Sequence, residues 1–327
     1  MKQRISAIML LMVAACTPTV LPPGPEIAGP VLSTDGFIAA DGASLPVRKW
    51  LPDSGPKAVV IALHGFNDYS NFFTDPGTFL AGHGIAAYAF DQRGFGRAPN
   101  RGLWPGPAAY VNDLKAFVGE MRITHPGVPL FLLGESMGGA VAIAAMTGKD
   151  APEVDGVILS APAVWGRETM PFYQTWALWI GAHTVPWAEL TGRGLKLKAS
   201  DNIEMLRALG RDPLVIKKTR IDAIYGLADL MDEALASSAR LHAPTLILYG
   251  EKDEIIPKKP TYRMLESLPA GNADKFTVAL YEEGYHMLLR DLKAETIWRD
   301  IAAWIADKTA PLPSGADKRA RTVLAGG

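Results

Sequence analysis

Leu130-Phe131-Leu132-Leu133-Gly134-Glu135-Ser136-Met137-Gly138-Gly139-Ala140-Val141 joins an apolar run of strand length to a small-residue helical start through Gly-Glu-Ser-Met-Gly. Gly-x-Ser-x-Gly between a strand and a helix is the pattern of a nucleophile elbow. The serine at its apex takes a strained backbone, and the glycines let strand and helix close up without Cβ clashes. A tight turn with an idle serine has the same local pattern. The reading therefore depends on whether an acid and a base follow downstream.

Outward from this stretch the chain alternates. Residues 58–63, 85–90, 130–133, 157–159, 245–249 and 276–281 are short apolar runs, most without polar alternation, as in strands buried on both faces. Amphipathic stretches at 108–122, 139–146, 262–268 and 292–307 separate them. Strand–helix alternation predicts an α/β fold with a doubly wound, mostly parallel sheet. Upstream, Gly36–Ala40 and Ser44–Trp50 flank Asp41-Gly42, a hairpin turn pair. Between 162 and 238 helical patterning continues without a convincing strand, which predicts a helical cap inserted after a central strand, over the carboxyl edge of the sheet. The core is then 36–161 with 239–308, and 309–327, rich in Pro, Gly and basic residues, is expected to be a flexible tail.

A serine hydroxyl needs a base to take its proton and an acid to hold that base in one tautomer. Asp253 lies just past the strand at 245–249 and His286 just past the strand at 276–281, both at carboxyl ends that converge on Ser136. Glu251 and Glu254 are rival acids, because loop register is not fixed by sequence. Of the six histidines, His242 precedes its strand, His183 lies in the cap, and His83 and His125 fall at helix or loop ends. In His64-Gly65-Phe66, the glycine permits a sharp turn that aims the Phe66 amide into the site. That amide and the amide of Met137 are the candidate oxyanion donors, with His64 itself structural. Asp91-Gln92-Arg93-Gly94-Phe95-Gly96 lacks the third glycine and the helix start of a phosphate cradle, so Asp91 and Arg93 are read as pins for neighbouring loops.

Together, His64-Gly65-Phe66, Asp91 to Gly96, Gly134 to Gly139, Gly250-Glu251-Lys252-Asp253 and Tyr285-His286 resemble the α/β-hydrolase superfamily. Within it the likeness is to the monoacylglycerol-lipase and lysophospholipase branch, over roughly residues 36–307. The resemblance implies a serine carboxylic-ester hydrolase for single-chain lipid esters, with Ser136, Asp253 and His286 as triad, Phe66 and Met137 as backbone donors, and neither metal nor organic cofactor. Glu135 and Gln92 stand where histidine is common in that branch, which bears on substrate identity rather than mechanism. Other activities on the same fold are short-chain esterase, thioesterase, aminopeptidase and carbon–carbon bond hydrolase. The alternative from another class is a non-catalytic ligand-binding envelope lipoprotein. Dehalogenases and epoxide hydrolases place a carboxylate where Ser136 stands. Trp165, Phe172, Tyr173, Trp176, Trp179 and Trp187 crowd into the cap, as candidates for an acyl-chain tunnel or a surface that dips into lipid, or simply as packing.

The N-terminus supplies an address. Lys2 and Arg4 precede an apolar stretch too short to span a bilayer, a signal peptide over 1–15. Val13-Ala14-Ala15-Cys16 resembles the bacterial lipoprotein box, which implies a lipid on Cys16, a tether over 16–35 and a place in the bacterial cell envelope. Thr17, rather than an acidic residue, points to the outer membrane. Cys16 is the only cysteine among 327 residues, which excludes disulfide frameworks and multi-cysteine metal sites. A formal charge of −1, or −3 without residues 1–15, leaves no basic excess for nucleic acid.

Overall fold

The protein is described by a computed structural model over residues 17–34, 36–192, 194 and 197–326. The expected signal peptide and Cys16 lie outside the described residues. In chain order the strands are β1 (Val31–Leu32), β2 (Phe37–Ile38), β3 (Ser44–Leu45), β4 (Val47–Trp50), β5 (Ala58–Leu63), β6 (Ile85–Phe90), β7 (Leu130–Glu135), β8 (Gly156–Ser160), β9 (Glu189–Leu190), β10 (Thr219–Arg220), β11 (Thr245–Gly250) and β12 (Phe276–Tyr281). The helices are α1 (Thr74–Gly82), α2 (Pro107–Thr124), α3 (Met137–Thr147), α4 (Phe172–Thr184), α5 (Ile203–Arg211), α6 (Ile221–Ser237), α7 (Lys258–Ser267), α8 (Ala294–Ala306) and α9 (Ala316–Ala325).

A seven-stranded sheet runs in the order β12-β11-β8-β7-β5-β6-β4, parallel except for the edge strand β4, which pairs antiparallel with β6. The apolar runs lack alternation because both faces are covered. Val59, Ile61 and Leu63 of β5 join one core with Leu114, Phe117 and Met121 of α2, while Ala58, Val60 and Ala62 join the other with Leu80 of α1 and Ile297, Ile301 and Trp304 of α8. Register brings the carboxyl ends level: Leu63 faces Gly134, Glu135 faces Ser160, and Gly250 faces Tyr281.

The Asp41-Gly42 turn forms, with Gly42 at φ +81° and β2 paired to β3. Its second arm then breaks at Pro46, and Val47–Trp50 leave for the main sheet. The segment between β8 and β11 holds α4, α5 and α6, plus a two-residue ribbon of β9 and β10 that the sequence reading missed. Helix α6 packs on α3, and its Gly226 sits so close to the Trp104 indole that a Cβ would overlap it.

Two expectations change. The tail expected to fray over 309–327 forms α9, whose Ala316 and Ala320 are buried and whose Arg319 donates to Glu251 at 2.6 Å. The expected tether is largely exposed but held: the Leu21 amide donates to the Trp104 carbonyl, the Ile27 amide to Ala40, and the Leu32 amide to the Glu120 carboxylate. These amides are satisfied by the body of the protein.

Candidate active site

Ser136 sits at φ 53°, ψ −115°, between β7 and α3. For a side chain with a Cβ this backbone costs about 1–3 kcal/mol, which the surroundings must supply. They do so by hydrogen bonds and by close approach. The Ser136 amide donates to the Ser160 carbonyl at 3.0 Å, and the Ser136 carbonyl accepts from Gly139, Ala140 and Ala163. A Cβ on Gly134 would overlap the Gly138 backbone, and one on Gly138 would fall on the Leu63 carbonyl. Both motif glycines are therefore sterically required.

Asp253 and His286 arrive from the ends of β11 and β12 and are both buried. His286 Nδ1 lies 2.8 Å from Asp253 Oδ2. A carboxylate can only accept here, so Nδ1 carries the proton and Nε2 is left as the basic nitrogen. Asp253 Oδ1 accepts from the amides of Ile255 and Ile256, which fixes the carboxylate. Burial pushes His286 down, but the Asp253 carboxylate, helped by Glu135, outweighs it, and the net direction is up from the ordinary histidine value. Glu251 is engaged by Arg319, and Glu254 accepts from the Lys198 amide. The acid that faces the imidazole is Asp253. Among the described residues no hydrogen bond joins the Ser136 hydroxyl to His286; such bonds are commonly long before substrate is bound and tighten in the complex.

The amides of Phe66 and Met137 have no acceptor among the described residues. Both flank Ser136: Gly65, next to Phe66, lies against it, and Met137 opens α3, where first-turn N–H groups have no partner within the helix. Two N–H donors with nothing to bond are what a developing oxyanion requires. His64 is fully buried; its Nδ1 donates to the Gly65 carbonyl and its Nε2 accepts from the Gln92 amide, so the ring is a brace for this loop. Asp91 accepts from Ser70 and from the Arg97 amide, and Arg93 forks onto Asp113 and Asp41. The Arg93 guanidinium holds the Asp41 carboxyl down at about 2.

The cap aromatics are not brought to Ser136 as a group. Trp165 is half-buried against the main core, whereas Phe172 is 78% exposed, Trp176 63% and Trp179 49%, with Tyr173 and Trp187 also exposed. Trp179 stacks on His183 at 4.4 Å. Two charged residues at the site went unread in the sequence. Arg290 is buried between Glu135 and Asp68, at 2.8 Å from each.

A family described as serine aminopeptidase, S33, matches residues 54–293, which span the sheet, the cap and all three of Ser136, Asp253 and His286. The chain belongs to this family. Among proteins similar to this S33 member, human monoglyceride lipase is 28% identical over 281 residues, covering 84% of this chain and 90% of the relative. Monoacylglycerol lipase of Mycolicibacterium smegmatis is 25% identical over 291 residues, 84% of this chain and 96% of its own. The crystal structure of Paleococcus ferrophilus monoacylglycerol lipase superposes with a TM-score of 0.67 at 26% identity, covering 80% of this chain and 98% of that one. The S33 member described here has the α/β-hydrolase fold.

Proposed function

We propose that the protein is a serine carboxylic-ester hydrolase acting on single-chain lipid esters, monoacylglycerols foremost and lysophospholipids as the neighbouring class. The observation that carries the reading is the pair of unbonded amides, Phe66 and Met137, beside a strained Ser136. In this reading Ser136 Oγ attacks the ester carbonyl while His286 Nε2 takes its proton. Asp253 holds the imidazole in the right tautomer and stabilises its charge, and the two amides receive the oxyanion. His286 returns the proton to the leaving glycerol oxygen, and a water it then activates releases the fatty acid from the acyl-enzyme. Similarity to lipases named for monoacylglycerols supports the substrate class, whereas the family description names a peptidase. The exposed aromatic face of α4 favours the lipid reading, since a peptide substrate needs no apolar surface on the cap.

A fluorophosphonate probe on residues 17–327 is expected to label the wild type and not Ser136→Ala, and a panel of esters and monoacylglycerols is expected to show a chain-length optimum. Labelling that persists in Ser136→Ala defeats the mechanism, and cleavage of peptides alone defeats the substrate class. The bacterial envelope location, with a lipid on Cys16 and the outer membrane as its home, is part of the same proposal. Mass spectrometry of the mature N-terminus is expected to find a lipid-modified Cys16; an unmodified or differently placed start overturns it.

A further inference from the structure

Behind Ser136 lie three charged side chains that the triad chemistry does not use. Glu135, Arg290 and Asp68 are 2%, 8% and 5% exposed. Arg290 Nη2 donates to Glu135 Oε1 at 2.8 Å, and Nη1 lies 2.8 Å from Asp68 Oδ2. Each partner belongs to a different part of the site. Asp68 follows Phe66 by two residues on the oxyanion loop, Glu135 immediately precedes Ser136, and Arg290 follows His286 by four. One planar guanidinium therefore spans the three loops that must keep a common register.

The cluster is poorly arranged for stability alone. Glu135 Oε2 and Arg290 Nε have no hydrogen-bond partner, and two carboxylates share one cation. Buried ion pairs with unmade bonds return little or nothing after desolvation. What this cluster supplies is geometry and field. Burial raises Glu135 against the pull of Arg290, with Asp68 raising it further. His286 is faced by Asp253 and Glu135, which favour its protonated form, and by Arg290, which opposes it. Arg290 also acts on the buried ring of His64 and has the Phe72 ring 5.8 Å away, and Glu135 also acts on the Asp291 carboxyl, which burial pushes up to about 6.

We propose that Arg290 is a positioning residue for hydrolysis, locking the oxyanion loop, the nucleophile elbow and the histidine loop together through Asp68 and Glu135. The inference rests on the ester-hydrolase reading. Loops that drift apart lose contacts made mainly in the transition state, so kcat falls while KM for a small soluble ester stays nearly constant.

The test is steady-state hydrolysis of p-nitrophenyl butyrate across pH by wild type, Arg290→Met, Arg290→Lys and Glu135→Gln, with melting curves to verify folding. Arg290→Met is expected to lose kcat on the order of a hundredfold, with KM changed by less than about twofold. Arg290→Lys keeps the charge but not the fork, and recovers part of the loss. In the wild type the base must be neutral, so kcat/KM falls as pH drops through a His286 value lying above the ordinary one. Glu135→Gln removes a carboxylate that raises His286 and leaves Arg290 less compensated, so this acidic limb moves to lower pH. Should Arg290→Met fail to fold, Arg290→Lys decides: kcat reduced at near-constant KM supports the proposal, and kcat equal to wild type overturns it. The proposal is overturned by a folded Arg290→Met with kcat within threefold of wild type, or by a loss that falls on KM instead of kcat. Wild type without Ser136-dependent turnover is a different result, the failure of the hydrolase reading itself.

Discussion

Helices α3 and α4 are both apolar, yet α3 buries nine of its eleven residues and α4 buries one of its thirteen, Ala182. The difference lies in side-chain size and in what is available to cover it. Helix α3 reads Met-Gly-Gly-Ala-Val-Ala-Ile-Ala-Ala-Met-Thr, small enough to be enclosed by the sheet, α2 and α6 at once. Helix α4 reads Phe-Tyr-Gln-Thr-Trp-Ala-Leu-Trp-Ile-Gly-Ala-His-Thr and packs on α6 along one side only, leaving its large aromatics facing out. Apolar sequence in the first case builds the floor under Ser136. In the second it leaves a row of aromatic side chains facing solvent.

The contrast is tested most directly by one substitution on α3 and a paired one on α4. Gly138→Ala puts a Cβ on the Leu63 carbonyl. It is expected to cut fluorophosphonate labelling and ester turnover on the order of a thousandfold, or to leave the chain unable to fold. Retention of more than a tenth of the labelling in folded protein would show that the elbow is looser than its backbone suggests. On α4 the corresponding change is mild because the side chains meet solvent. Trp176→Ser with Trp179→Ser is expected to reduce binding to phospholipid vesicles several-fold, about 1 kcal/mol or a little more. Hydrolysis of vesicle-borne monoacylglycerol should fall by a similar factor, and hydrolysis of a soluble ester by less. Sedimentation with vesicles measures the first effect; vesicle binding equal to wild type would return these tryptophans to the role of packing.

The same contrast separates what can be read along the chain from what cannot. All six apolar runs become strands of the main sheet, because burial on both faces leaves an unbroken signature in the sequence. Their ends run further where Gly134, Glu135 and Gly250 pair in register despite being poor strand formers by composition. Asp253 and His286 were legible because chain order and strand ends place them at one edge. Arg290 was not, since its partners lie 155 and 222 residues away and local periodicity carries no trace of them. Helix α9 was missed for a related reason. Its burial rests on Ala316, Asp317 and Ala320 and an ion pair to Glu251, a weak pattern among Pro, Gly and basic residues.

The hydrogen bond from the Leu21 amide to the Trp104 carbonyl sets a leash length. Five chain steps lead from Cys16 to that fixed point, a reach of roughly 17 Å when fully extended. A lipid on Cys16 would hold the enzyme against its bilayer with little freedom to swing. The indole of Trp104 lies 6.2 Å from the Phe66 ring and against Gly226 of α6. Mooring point, oxyanion loop and cap would thus share a single tryptophan, and a pull on the leash would be felt first beside the reacting carbonyl.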